Sequence, residues 1–369
     1  MPGIYVHIPF CKHKCTYCDF TSFPNRLNFA EAYMACLYKE VAERGKELKK
    51  YKFDTVYIGG GTPSVIDAKY IFGLMKQIKN CFHLTAHSEI TLEMNPGTVN
   101  AEKIAIYKKA GINRFSVGLQ TANDEQLADI GRIHSTADFL TCAKLLKGEN
   151  FSADVMLGLK GQTKKDVLKT IDLAAEAGAS HISMYALTPE DGTPIYTDYL
   201  NGELPDADEV SELYDAGMGM LKELGYMRYE VSNFCKPGYG SRHNLNYWRR
   251  GEYIGLGVSA SSFFFGKRFT NTFDLDEYMK CILSGYFPVI ESETVEGEDA
   301  KFEFLMLGLR TVFGVSSVAY KKQFGSDWKE DFSAGYEKMQ KYLDQQGDIT
   351  KIKDEYLYVQ NQILTEFMQ

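Results

Sequence analysis

Over its first two thirds the chain alternates short apolar runs with longer amphipathic ones, and this alternation restricts the fold more than any other feature. The runs Ile4–Ile8, Thr55–Ile58, Glu89–Met94, Arg114–Gly118, Ala153–Leu157 and His181–Ala186 are rich in Val, Ile, Tyr or Met. Each ends at a Gly, Pro, Asn or polar residue, as strands do. Between them Phe29–Lys50, Ala68–Cys81, Ala101–Ala110, Thr136–Leu146 and Lys164–Ala177 carry apolar residues at helical spacing. Gly111 and Gly178 follow two of these runs as stop residues. About six βα units in a row imply an α/β fold with a parallel sheet, curled into a full or partial (β/α)6-type barrel; a doubly wound open sheet is the rival. In such a barrel, chemistry gathers at the C-terminal ends of the strands.

The pattern changes after Thr188. An acidic, proline-bearing stretch leads to a helix at Glu209–Leu224 and a strand at Met227–Val231. Phe234 to Phe273 is dense in Gly and aromatic residues, and from Asp274 to Gly347 the reading is mostly helical. Two strands, Ile349–Ile352 and Tyr356–Val359, close the chain around Lys353-Asp354-Glu355. The expected organisation is a barrel at 1–235, a connecting segment at 236–273, and a smaller, mostly helical C-terminal domain at 274–369 ending in a β-wing. With 369 residues, 44% of them hydrophobic, the chain can bury a core without crosslinks. A formal net charge of −8 argues against nucleic acid or an anionic membrane surface as the main partner. The chain opens on a strand with no basic leader, and no apolar run is long enough to span a bilayer, so the expected location is the cytoplasm.

The chemistry starts at Cys11-x3-Cys15-x2-Cys18, directly after the first strand. Thiolates are the ligands that Fe–S clusters require, and a short loop can fold three of them around one cluster. Three ligands for four irons leave one iron without a protein donor. A structural zinc site is the alternative, but closed zinc sites take four ligands, and only His13 lies near enough in sequence to be a fourth. The other five cysteines are scattered singly and read as small apolar side chains. A second signal is Gly59-Gly60-Gly61-Thr62-Pro63, where missing Cβ atoms let backbone N–H and C=O groups approach a ligand.

The cysteine loop resembles that of radical S-adenosylmethionine enzymes, whose barrels are mostly partial. Tyr5-Val6-His7-Ile8-Pro9-Phe10-Cys11 and Tyr17-Cys18-Asp19-Phe20 resemble the oxygen-independent coproporphyrinogen oxidase-like branch, and the likeness runs over nearly the whole chain. It implies a [4Fe–4S] cluster on Cys11, Cys15 and Cys18 whose open iron takes S-adenosylmethionine. It also implies that Gly60, Gly61 and Thr62 contact the amino acid part of that cofactor. Glu93, Gln120, Arg132 and Asp154 correspond by motif to further positions of that site, as do Tyr5, Tyr17 and Ala186. Taken alone, the polar ones are ordinary hydrogen-bonding residues.

The third motif is Arg242-His243-Asn244-Leu245-Asn246-Tyr247-Trp248, followed by Arg249-Arg250. An imidazole, two aromatic rings and three guanidinium groups suit haem, with His243 as axial ligand and arginines near the propionates. A rigid aromatic loop closing the barrel mouth is the plainer alternative. The pattern H-N-x-x-Y-W resembles the haem-chaperone branch, which implies His243, Asn244, Tyr247 and Trp248 at the haem. The porphyrinogen-oxidising relatives carry a fourth cysteine two residues after the third, where this chain has Phe20. They also carry a sizeable segment before the cluster motif. The expected function is therefore a haem chaperone holding a cluster, S-adenosylmethionine and haem, and handing haem to an acceptor whose identity and place, the membrane included, are open. Oxidative decarboxylation of coproporphyrinogen III is the second reading, and a zinc-stabilised scaffold is the third.

Overall fold

The computed structural model describes residues 1–368. Six parallel strands, β1 (Gly3–Ile8), β2 (Lys52–Gly60), β3 (His83–Met94), β4 (Arg114–Gln120), β5 (Phe151–Leu157) and β6 (His181–Ala186), lie side by side in chain order. All six strands expected from the sequence are present. Along each strand the side chains alternate between two environments. Ile4, Val6, Ile58, Ile90, Leu92, Phe115, Val117, Val155 and Ile182 join one apolar core with the surrounding helices. The alternate positions carry Tyr5, Thr55, Tyr57, Glu89, Glu93, Arg114, Ser152, Asp154 and His181. The sheet is thus apolar towards its helices and polar within. The helices are α1 (Ala30–Leu48), α2 (Ala68–Cys81), α3 (Ala101–Ala110), α4 (Asp124–Asp129), α5 (Thr136–Leu145), α6 (Lys164–Glu176), α7 (Ile195–Leu200) and α8 (Ala207–Glu223). Side chains of Asp67, Asn100, Ser135, Thr163 and Asp206 cap helix starts, each accepting a backbone N–H that would otherwise lack a partner.

The barrel is partial: β6 does not pair with β1. Beyond β6 lie the short strands β7 (Met227–Arg228) and β8 (Asn233–Cys235); beyond β1 come β9 (Tyr253–Leu256), β10 (Ser261–Phe264), β11 (Lys267–Asn271) and β12 (Val289–Thr294). Between β8 and β9, α9 (Arg242–Trp248) turns under the N-terminal strand ends. The strand expected at Met227–Val231 stops at Arg228, because Glu230 bridges to Thr311 instead. Helix α10 (Leu275–Leu283) joins the main core, and β12 forms the sheet's edge. The C-terminal region starts with α11 (Gly297–Leu309) and has its own apolar core around Leu305, Tyr320, Trp328 and Phe367. Its small antiparallel sheet joins β13 (Val315–Ser316), β14 (Leu343–Gln346) and β15 (Ile349–Ile352). The wing expected from the sequence is present, with its pairing corrected: β15 turns back on β14 through Gly347, and Asp354–Tyr356 is a 3-10 turn. A short helix at Gln360–Thr365 follows the wing. Among the described residues no helix is long and apolar enough to cross a membrane.

Candidate functional site

The cysteine loop leaves the C-terminal end of β1 and is tied down at several points. Phe23 N–H donates to Pro9 O at 2.7 Å, Thr16 N–H to Ile130 O at 3.1 Å, and Ile195 N–H to Thr16 O at 3.1 Å. Cys11 is buried, Cys15 and Cys18 are half-buried, and His13 is exposed. Burial pushes the Cys11 and Cys18 thiols up; beside Cys11 the Thr62 hydroxyl counters this. A chain of polar contacts links two of the cysteines. Thr62 Oγ1 lies 3.5 Å from Cys11 Sγ and accepts from Asn95 Nδ2 at 3.0 Å. Arg132 Nη2 donates to Asn95 Oδ1 at 2.8 Å and to Gly118 O at 3.0 Å, while its Nη1 reaches Cys15 Sγ at 3.8 Å. A Cβ on Gly61 would stand 2.8 Å from Phe10 O and 3.0 Å from Cys11 Sγ, so a glycine is needed where the two loops meet. Three clustered thiols with a hydroxyl and a guanidinium beside them suit anionic sulfur donors to a cluster. The cysteines of a cluster bind different irons and need not converge on one point; among the described residues no three His, Cys, Asp or Glu side chains converge on a single-ion site.

Above β2 and β3 the polar inner wall rises to the rim. Tyr57 Oη donates to Glu93 Oε1 at 2.7 Å, and Gly60 N–H to Oε2 at 3.1 Å. Gly60 has φ +112°, and a Cβ there would lie 2.6 Å from the His7 ring, so this approach requires glycine. Burial raises Glu93 to about 7, with the nearby Asp154 charge adding to it. Burial raises Asp154 to about 6 against the pull of Ser183, Arg114 and Arg132. Gln120 is buried with a left-handed φ of +68°, and its Oε1 accepts from Tyr185 Oη at 3.4 Å. Tyr17 and Tyr185 border one small apolar cluster, and Ala186 ends β6 beside Leu157. A side chain in the left-handed region is a mark of functional sites, since neighbouring structure must hold it there.

Tyr5, Gly60 and Glu93 also line a cavity of about 570 Å³. Its other walls include Asp19 and Phe20 on the cysteine loop, Tyr247 on α9 and Arg250 just after it, Phe263, Arg268 and Phe273 on the sheet extension, and Glu303 and Leu307 on α11. His243 lies outside the lining of this cavity. Its ring is 1% exposed, with Nδ1 2.7 Å from Thr55 Oγ1 and Nε2 2.7 Å from Tyr247 Oη. It stacks on Tyr57 at 5.2 Å, and burial holds it neutral by lowering it to about 3. With both nitrogens engaged below the inner wall, the ring forms part of the floor of the barrel. Of the four residues expected at a haem, Tyr247 alone lines the cavity; Asn244 and Trp248 are half-buried elsewhere on α9.

Residues 5–174 match the Radical SAM superfamily and residues 295–358 the HemN C-terminal domain. The chain is 35% identical over 331 residues to the heme chaperone HemW of Bacillus subtilis (strain 168), covering 88% of this chain and 87% of that protein. It belongs to the HemW family. The heme chaperone HemW of Escherichia coli (strain K12) is 36% identical over 337 residues, 86% of this chain and 85% of the relative. Among solved structures, coproporphyrinogen III oxidase (HemN) from Escherichia coli has a TM-score of 0.88 at 18% identity, covering 99% of this chain and 90% of the other. That likeness shows the fold: a radical SAM partial barrel with a helical C-terminal region.

Several residues of this HemW-family site escaped the sequence reading. Asn95 directly follows the strand run Glu89–Met94, and Tyr57 shares the inward parity of Thr55 along β2; both were legible from position. Of the arginines in the third motif, Arg242 pairs with Asp54 below the barrel and Arg249 is exposed, so only Arg250 faces the cavity. Arg268 and Glu303 had no local signal, because their meeting depends on how α11 packs against β11.

Proposed function

We propose that this protein is a haem chaperone. It holds a [4Fe–4S] cluster on Cys11, Cys15 and Cys18, binds S-adenosylmethionine at the open iron, and passes haem to an acceptor protein. The observation that carries this reading is the cavity of about 570 Å³ between cysteine loop, barrel mouth and α11. Its size is that of small-molecule and cofactor sites, and it combines aromatic walls with a few charged groups, as a flat apolar ligand with acidic side chains requires. Cluster and S-adenosylmethionine together would supply one-electron reductive chemistry. The chain's own part is binding and exclusion. Gly60, Gly61 and Thr62 present backbone to the amino acid end, and Glu93 and Asp154 offer acceptors to ribose hydroxyls. Arg132 holds Asn95 and the cysteine loop in register. Phe20, 64% exposed, adds apolar surface where the oxidising relatives have a thiol.

The test is anaerobic reconstitution followed by iron and sulfide analysis, absorption spectra with and without haem, and incubation with S-adenosylmethionine, reductant and coproporphyrinogen III. About four irons per chain, a saturable haem spectrum and no turnover are expected. Conversion to protoporphyrinogen IX would replace this reading with the porphyrinogen-oxidising one. Zinc without iron would end it.

A further inference from the structure

Two guanidinium groups in the cavity wall share a single buried carboxylate. Arg250 Nε donates to Glu303 Oε2 at 2.9 Å, and Arg268 Nη2 donates to Glu303 Oε1 at 2.5 Å. The Arg250 and Glu303 side chains are only 10% and 15% exposed, so this is not a solvated surface pair. Arg250 Nη2 also donates to Val295 O at 3.3 Å, and Arg268 Nη1 to Glu293, whose side chain is 62% exposed at the rim. Both arginines lie over the Phe263 ring, at 4.8 and 5.7 Å from its centroid. Arg250 takes a left-handed φ of +53°, a conformation that a non-glycine residue keeps only when its surroundings hold it there. With Glu293 at the rim the two guanidinium groups and two carboxylates balance, but Glu303 is the one carboxylate shared by both arginines. Arg250, 10% exposed, needs a carboxylate beside it, so whatever displaces Glu303 must itself be an anion.

We infer that Arg250 and Arg268 receive the propionate carboxylates of a tetrapyrrole, and that Glu303 is an internal carboxylate standing in their place until it binds. Glu303 bridges the two arginines with one charge-assisted bond to each, and a guest carboxylate would take over those donors. Phe263 and Phe20 supply apolar surface for the macrocycle beside the charged end. Glu303 belongs to α11, the first helix of the C-terminal region, whereas both arginines belong to the sheet side. A guest carboxylate that displaces Glu303 therefore loosens a tie between the two parts, and its departure restores that tie. Cargo release and domain contact are one equilibrium in this arrangement.

The inference rests on the haem reading, and the test separates the two. Haem and haem dimethyl ester, in which the propionates are blocked, are titrated into the full chain, wild type, Arg250→Met/Arg268→Met and Glu303→Gln. The double variant and the ester on wild type should each bind about tenfold more weakly or worse, the scale of losing charge-assisted bonds. Glu303→Gln should bind haem several-fold more tightly, because the competitor has lost its charge. No haem binding by wild type would overturn the proposed function itself. Haem bound by wild type, with the ester equally tight, would overturn only this inference, and so would weaker haem binding by Glu303→Gln. The ester arm needs no variant, so a failure of the double variant to fold leaves the question decidable.

Discussion

Glu93 is a carboxyl group placed where charge is expensive. Its folded value near 7 lies above the ordinary 4.5, so from about pH 4.5 to 7 the folded protein holds a proton that the unfolded chain has released. Stability then falls as pH rises through that window, and the penalty is complete above it. Glu93→Gln should stabilise the protein before any cofactor is bound by up to about 3 kcal/mol at pH 8 and by nothing at pH 4. About 1 kcal/mol of this is offset by a weakened bond to Gly60 or Tyr57. Urea unfolding of both proteins at the two pH values measures the difference, in which the other titrating groups largely cancel. At Cys15 the expectation concerns metal content. Cys15→Ala should retain the circular dichroism of the fold but lose the cluster, seen as iron and sulfide near zero, since two thiolates do not hold it. A full cluster spectrum in the variant would mean that another cysteine substitutes.

At the scale of elements, α9 decides which end of the barrel is open. Glu89 accepts from the backbone N–H groups of both Arg242 and His243 at 3.1 Å, Ser241 caps the helix start, and the His243 ring fills the space under Tyr57. His243→Ala should cost about 2–4 kcal/mol, because it opens a cavity and strands the hydroxyls of Thr55 and Tyr247. If the proposed function holds, the folded fraction should keep its haem affinity; a selective loss of haem binding without loss of stability would mark His243 as a ligand. Gly61→Ala should lower both cluster occupancy and melting temperature, because its clash falls on the backbone of buried Phe10 and on Cys11 Sγ. The six parallel strands were legible because an apolar outer face and turn residues mark each one. The role of His243 was not, since an imidazole beside aromatic rings has one chemistry for ligation and for packing, and spacing does not say which way the ring turns. The wing's pairing was missed because Leu343-Asp344-Gln345-Gln346 carries no strand-like alternation, and its partner is chosen by the turn at Gly347.

Taken whole, the molecule has a large core around the barrel and a smaller one in the C-terminal region, joined partly by polar ties such as Arg250–Glu303 and Arg228–Asp354. Of the two tryptophans, Trp328 is fully buried in the small core, and Trp248 is half-buried at the end of α9, beneath the barrel. In urea, fluorescence of Trp248→Phe, which reports Trp328, should change at a lower midpoint than that of Trp328→Phe. Coincident midpoints would mean that the two parts unfold as one.

A vessel sealed at the bottom fills and empties in sequence. With α9 closing the strands' N-terminal ends, Tyr5, Gly60 and Glu93 communicate with solvent through the same cavity that Phe20, Phe263 and Glu303 surround. On the proposed function, a flat guest seated in this cavity would cover the inner wall behind it. Such a guest would act as a stopper, slowing exchange of anything already held at Tyr5, Gly60 and Glu93.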